Sequence, residues 1–209
     1  MKDAKKELNA ALNGVQTVVF DLDGTLYDKR GLAQRMVRHL WWCLPLLAAE
    51  RLARKNMHYV QYASEDEFFD MFFLQMSRGH WWGPAIAATW YVDIYLPTMI
   101  RMIRKHHQPR PEVMALIEEC QARGLKMAIY SDYGGVVEKL EALGIDPKLF
   151  DLKIAAPSLG ALKPSEPCVR RVLEMLEADP RTTLFVGDRE DKDGQSAKAV
   201  GARFLLIGD

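Results

Sequence analysis

The chain has 209 residues, 49% of them hydrophobic and 27% charged, enough for one well-buried core with a sizeable insertion. Lys plus Arg and Asp plus Glu both number 28, so no bulk positive field draws the protein to nucleic acid or to an anionic membrane surface. Three widely spaced cysteines, Cys43, Cys120 and Cys168, show neither metal-ligand spacing nor a disulfide framework, and they point to a reducing cytoplasm.

Met1 to Gly14 is charged and lacks an apolar secretory core; its spacing predicts a short surface helix rather than a signal peptide. Thr17–Phe20 is the first of five short β-rich runs, followed by Lys126–Tyr130, Leu152–Ala155, Thr183–Val186 and Phe204–Ile207. These runs are continuously apolar rather than alternating, as suits strands buried on both faces of a parallel sheet. Helical patterns stand between the later runs. Pro111–Arg123 opens on proline and stops at Gly124, Val136–Leu143 stops at Gly144, Glu166–Glu177 follows Pro-Ser-Glu-Pro, and Gly194–Val200 stops at Gly201. Alternating strands and helices imply right-handed βαβ units in a doubly wound α/β sandwich.

The first connection does not fit that rhythm. No strand signal stands between Phe20 and Gln108, and the segment is rich in Trp, Met, Phe and Arg at helical spacing, with Phe68, Phe69, Phe72 and Phe73 on one face. Residues 28–108 are therefore expected to form a smaller helical domain inserted into a core made of residues 1–27 and 109–209. Polar junctions at Tyr27–Gly31 and Lys105–Pro109 suit hinges. Leu40–Ala49 is too short to span a bilayer, and Ala85–Ile103 contains Asp93, Pro97 and Arg101, so both are expected in a soluble domain. The five tryptophans are expected to pack the insertion or seal it against the core. Arg30, Arg35 and Arg38 are expected on a solvated face, and His106 and His107 at the surface of the hinge.

In an open α/β sheet ligands bind at the carboxyl ends of the strands. The first strand ends in Asp21-Leu22-Asp23-Gly24-Thr25 and the second in Ser131, Asp132 and Gly134-Gly135. The third leads to Lys163-Pro164, and the fourth ends in Gly187-Asp188, followed by Glu190, Asp191 and Asp193. Two carboxylates one residue apart at the end of a buried strand repel and resist desolvation, and a hard cation such as Mg²⁺ offsets both costs. A calcium loop beginning at Asp21 would need glutamate where Leu32 stands, so that reading fails. Phosphoryl transfer asks for the parts gathered here. It needs a carboxylate nucleophile, a metal to cancel repulsion, a lysine and hydroxyl for the non-bridging oxygens, and a second acid to move the proton.

In these four short motifs and their order the chain resembles the haloacid dehalogenase superfamily of phosphohydrolases. The resemblance covers residues 15–27 and 109–209; the insertion matches the helical caps of that superfamily in placement and character alone. It implies that Asp21 is the nucleophile and a metal ligand. Asp23 would be the general acid/base, its backbone carbonyl binding Mg²⁺. Ser131 and Lys163 would hold the phosphate, and Asp188 would be the remaining direct metal ligand; Asp132 beside Ser131 is a candidate for phosphate binding whose simpler role is to cap or turn its loop. Asp193 would stand in the metal's second shell, with Asp191 reaching it through water. An aspartate at position 23 also separates the phosphatases from the true dehalogenases.

The expected function is a Mg²⁺-dependent phosphatase of a small phosphomonoester, such as a sugar phosphate, phosphoglycolate or a nucleoside monophosphate. A phosphomutase is the enzymatic alternative, and a catalytically weak binding or regulatory protein on the same fold is the other. Monomer and homodimer are both open.

Overall fold

The computed structural model describes residues 10–208, so most of the N-terminal helix expected over Met1 to Gly14 lies outside the described residues. Five parallel strands form one sheet: β1 (Thr17–Phe20), β2 (Lys126–Ser131), β3 (Leu152–Ala155), β4 (Thr183–Gly187) and β5 (Arg203–Leu206), in the order β3-β2-β1-β4-β5. The apolar run Thr17–Phe20 is central and wholly buried, which is why it carries no polar alternation.

Register sets the later chemistry. Phe20 pairs with Ile129 on one side and with Val186 on the other. The residues that follow, Asp21, Tyr130-Ser131 and Gly187-Asp188, therefore emerge together at one edge of the sheet. The amide of Asp21 extends that pairing by donating to the Val186 carbonyl at 2.8 Å.

Side chains alternate across the pleat and build two cores. On one face Val19, Ala128, Tyr130 and Phe185 pack against the helix α8 (Glu166–Met175) through Cys168, Val169 and Val172. On the other face Val18, Phe20, Ile129 and Val186 pack against α6 (Pro111–Ala122) and α7 (Val136–Ala142). The last helix, α9 (Gln195–Val200), returns to the first face through Ala197.

Between β1 and β2 the chain is helical: α1 (Leu32–His39), a 3₁₀ turn at Trp41–Cys43, α2 (Leu44–Asn56), α3 (Glu65–Ser77), α4 (Pro84–Trp90), a π-helical turn at Tyr91–Tyr95 and α5 (Leu96–His106). Helix α3 starts where a capping residue allows. The Ser64 hydroxyl accepts from the Glu67 amide at 3.1 Å, and the Glu67 carboxylate reaches back to the Ala63 amide at 2.7 Å. Its buried stripe, Phe68, Phe72 and Met76, joins the same apolar cluster as the α6–α7 face of the sheet.

Two expectations change here. Trp82 and Trp90 are buried, but Trp41, Trp42 and Trp81 are exposed, because they stand at turns outside the helical stripes. His107 is buried rather than a surface hinge residue. Its ring meets Tyr27 edge-on at 5.2 Å and its Nδ1 lies 2.7 Å from the Asp28 carbonyl. With the Arg110 amide donating to the Leu26 carbonyl at 2.8 Å, this contact fastens the two crossing strands of chain together. All three cysteines are free and buried. No described helix is long and apolar enough to cross a membrane.

Candidate active site

Asp21 leaves β1 into a nearly closed environment. Its Oδ2 accepts from the Thr25 hydroxyl at 2.9 Å and its Oδ1 from Lys163 Nζ at 2.6 Å. Burial alone would raise its pKa; Lys163 and the Thr25 hydroxyl outweigh that and hold the carboxyl below its ordinary value. Lys163 is itself buried and bridges Asp21 to Asp193, whose Oδ1 lies 2.6 Å from the same ammonium. Burial works against its charge, and the two carboxylates prevail, raising its pKa. Burial pushes Asp193 up to about 6, a rise that Lys163 restrains and the Asp21 charge reinforces.

Asp188 completes the acidic group. Oxygens of Asp21, Asp188 and Asp193 all lie within 4.8 Å of one another. Two glycines make the approach possible. A Cβ on Gly24 would stand 2.4 Å from Asp188 Oδ2, and Gly24 also holds a left-handed φ of 112°. A Cβ on Gly187 would stand 2.3 Å from Asp193 Oδ2. The Lys29 ammonium donates to the Asp23 backbone carbonyl at 3.0 Å and pairs with Asp188 Oδ2 at 2.6 Å. A cation thus already sits between two oxygens at the mouth of the cluster.

Asp23 points its carboxylate into a different set of partners. Oδ1 accepts from the Tyr27 hydroxyl at 2.7 Å, while Oδ2 accepts from Ser131 Oγ at 3.1 Å and from Lys139 Nζ at 2.7 Å. Burial and the Asp23 charge push the Tyr27 hydroxyl far above its usual pKa, so it stays a donor. The Ser131 hydroxyl also accepts from the Tyr133 amide at 3.1 Å, so it is fixed at the strand end.

Asp132 serves as a clasp. Its Oδ1 accepts from the Lys163 amide at 2.7 Å and its Oδ2 from the Lys192 ammonium, tying the loops after β2, β3 and β4 together. Asp191 is not brought to the cluster: it is exposed and paired with Arg189, with Nε to Oδ1 at 2.9 Å. From α2, Arg54 reaches the same loop, donating to the Asp132 carbonyl at 3.0 Å and to the Tyr91 hydroxyl at 2.8 Å while its guanidinium covers the Tyr133 ring at 4.1 Å.

A cavity of about 550 Å³ opens over these groups, lined by Asp21, Asp23, Lys163, Asp188 and Asp193 below and by Met36, Glu50, Arg51, Tyr95 and Met99 from the inserted helices. Sequence reasoning missed Thr25, Tyr27, Lys29, Lys139 and Arg54. The signal for Lys139 was present. It lies on the Val136–Leu140–Leu143 stripe of α7, and a lysine on a buried stripe needs a buried anion.

Fold and site together define an α/β enzyme with its polar centre at the carboxyl edge of a parallel sheet. A family model for haloacid dehalogenase-like hydrolases matches residues 15–201, and the chain belongs to that family. It is 29% identical over 124 residues to a phosphoglycolate phosphatase of Aquifex aeolicus, a match covering 54% of this chain and 57% of that one. The chain thus spans little more than half the length of that relative. It is also 29% identical over 212 residues to the phosphoglycolate phosphatase of Neisseria gonorrhoeae, covering 96% of this chain and 82% of that one. The same fold is seen in CbbY from Rhodobacter sphaeroides in complex with phosphate, at 19% identity and a TM-score of 0.65, covering 93% of this chain and 87% of that one.

Proposed function

We propose that this protein is a phosphatase that hydrolyses a small phosphomonoester through an aspartyl-phosphate on Asp21. The convergence of Asp21, Lys163 and Asp193, with Asp23 two residues away on its own set of donors, is the observation that carries this reading.

The donor set fits a hard divalent cation. Three carboxylates offer oxygens within 4.8 Å of one another, and the Asp23 carbonyl and Asp188 already attract the Lys29 ammonium. Asp21, Asp188 and the Asp23 carbonyl would hold Mg²⁺, with Asp193 behind them; Asp191, paired with Arg189, stands apart. When bound, the ion supplies charge neutralisation between nucleophile and phosphate.

The chain's own residues do the rest. The Asp21 carboxylate attacks phosphorus and the ester oxygen leaves with the bonding pair. Lys163 and the Ser131 hydroxyl take up charge on the non-bridging oxygens. Asp132, whose carboxylate is engaged by Lys163 and Lys192, holds the Lys163 segment in place. Asp23 gives a proton to the departing alkoxide and takes one from the water that clears the acyl phosphate. Residues 28–108 act as a cap that closes over the leaving group and excludes water, on a core of residues 1–27 and 109–209. Three free, buried cysteines support a cytoplasmic setting.

Phosphate release from a panel of small phosphomonoesters, with and without Mg²⁺, tests this reading in wild type and Asp21→Asn. Metal-dependent release that falls by several orders of magnitude in the variant is expected. Undiminished release by Asp21→Asn, or none from wild type, would overturn it.

A further inference from the structure

A second cavity, of about 530 Å³, lies beside the first, between α2 and the loops after β2 and β4. Arg51, Arg54, Lys55, Arg189 and Lys192 line it, against two carboxylates, Glu50 and Asp132. In a chain with 28 cationic and 28 acidic side chains, that is a local excess of positive charge. Both acids are already engaged, Glu50 by Arg54 and Asp132 by Lys192 and the Lys163 amide. Arg189 is paired with Asp191 on the rim. Among the described residues, the side chains of Arg51 and Lys55 make no hydrogen bond or ion pair. Two cations in a concave wall are thus left with nothing in the protein to neutralise them.

The two cavities adjoin along a shared wall. Glu50, Arg51, Asp132, Tyr133, Arg189 and Lys192 line both. Asp132 holds Lys192 at one carboxylate oxygen and the Lys163 segment at the other, and Lys163 reaches Asp21 at 2.6 Å. A short molecule with its phosphate at Asp21 would extend its far end along this wall. His58 lines the cavity as well. Its pKa lies below the ordinary value, first through burial and then through the charge of Lys192, opposed by Asp132.

We propose that the substrate carries a second anionic group, a carboxylate or a second phosphate, and that Arg51, Lys55 and Lys192 bind it. This rests on the phosphatase reading and narrows its substrate class from any phosphomonoester to one anionic at both ends. Binding energy gathered at the far end would then position the reacting phosphate.

The test is kcat/KM in Mg²⁺ for three esters on the same three-carbon frame: phosphoglycerate, with a carboxylate tail; glycerol bisphosphate, with a second phosphate; and glycerol phosphate, with a neutral tail. One of the two anionic-tailed esters is expected to exceed glycerol phosphate by about tenfold or more, the size of one charge-assisted hydrogen bond. Whichever leads identifies the second anion. That ratio should fall toward one in Arg51→Ala and in Lys55→Ala, and Arg51→Lys should restore part of it. A loss of folding would lower all three substrates together and leave the ratio unchanged. Hydrolysis of glycerol phosphate as efficient as that of both anionic esters would overturn the second-anion site and leave the phosphatase reading standing. So would a preference that survives in both alanine variants. Hydrolysis of none of the three would remove both.

Discussion

Lys139, with no exposed side-chain surface, donates to Asp23 Oδ2 at 2.7 Å from a helix that follows β2, more than a hundred residues along the chain. The pair joins α7 to the end of β1 at the centre of the site. Removing one member of a buried ion pair leaves the other charged and poorly solvated. Tyr27 and Ser131 still serve Asp23, so the low end of the known range applies: Lys139→Met is expected to lose about 3 kcal/mol of folding stability. Adding Asp23→Asn should recover part of that loss, giving a coupling energy of at least about 1 kcal/mol in a double-mutant cycle. Urea unfolding of the four proteins measures it. Simple additivity would mean the pair contributes nothing.

Gly187 owes its place to Asp193 rather than to its own backbone. An alanine Cβ there would fall within 2.4 Å of three Asp193 side-chain atoms. Asp193 cannot retreat without leaving Lys163. Gly187→Ala is therefore expected to lose about 1–3 kcal/mol and most phosphatase activity. Gly83→Ala, where no atom lies within 4 Å, meets no clash; it should keep full activity and lose only the cost of an alanine at the N-cap of α4, about 0.5–1 kcal/mol. Equal stability of the two variants in thermal unfolding would contradict the steric account.

The pH dependence of stability follows from Asp193. Its pKa in the fold is about 6, raised from 3.8 by burial first, so the folded protein binds a proton more tightly than the unfolded chain does. Stability from this group therefore rises as pH falls from 7 through 6 toward 4. Asp21, held below its ordinary value, does not titrate in that window. In chelator-treated protein, acidification from pH 7 to 5 is expected to stabilise wild type by about 1 kcal/mol relative to Asp193→Asn. An identical pH profile for the two proteins would show that Asp193 is not protonated preferentially in the fold.

The sheet was legible because parallel strands buried on both faces leave continuous apolar runs, and all five fell within two residues of their places. The convergence of Asp21 and Asp188 followed from strand order, since each stands just past a strand end, whereas Lys163 comes in from the loop beyond β3 and the 3₁₀ turn at Ala156–Leu159. What escaped was carried by side chains whose partners lie far off in sequence. Lys139 looks like any helical lysine until Asp23 is placed beside it. His107 looks like a hinge residue until Tyr27 packs on it. The tryptophans escaped for the opposite reason. Composition suggested a packed insertion, but Trp41, Trp42 and Trp81 sit in turns that no helical periodicity brings inward.

Lys29 stands where the proposed Mg²⁺ would bind, so the two would compete for the same oxygens. The ammonium lies 3.0 Å from the Asp23 carbonyl and 2.6 Å from Asp188 Oδ2, two atoms that the proposed ion would bind. Metal entry must displace this contact, and Lys29 is 42% exposed, so the contact is worth only what a partly exposed ion pair is worth. Lys29→Met is therefore expected to tighten Mg²⁺ binding roughly two- to fivefold in calorimetric titration. The gain should shrink as salt is raised, because screening already weakens the ion pair in wild type. Unchanged affinity at low salt would show that the ammonium and the metal do not share ligands. Weaker binding would show that Lys29 supports the ion-loaded site instead of standing in for it.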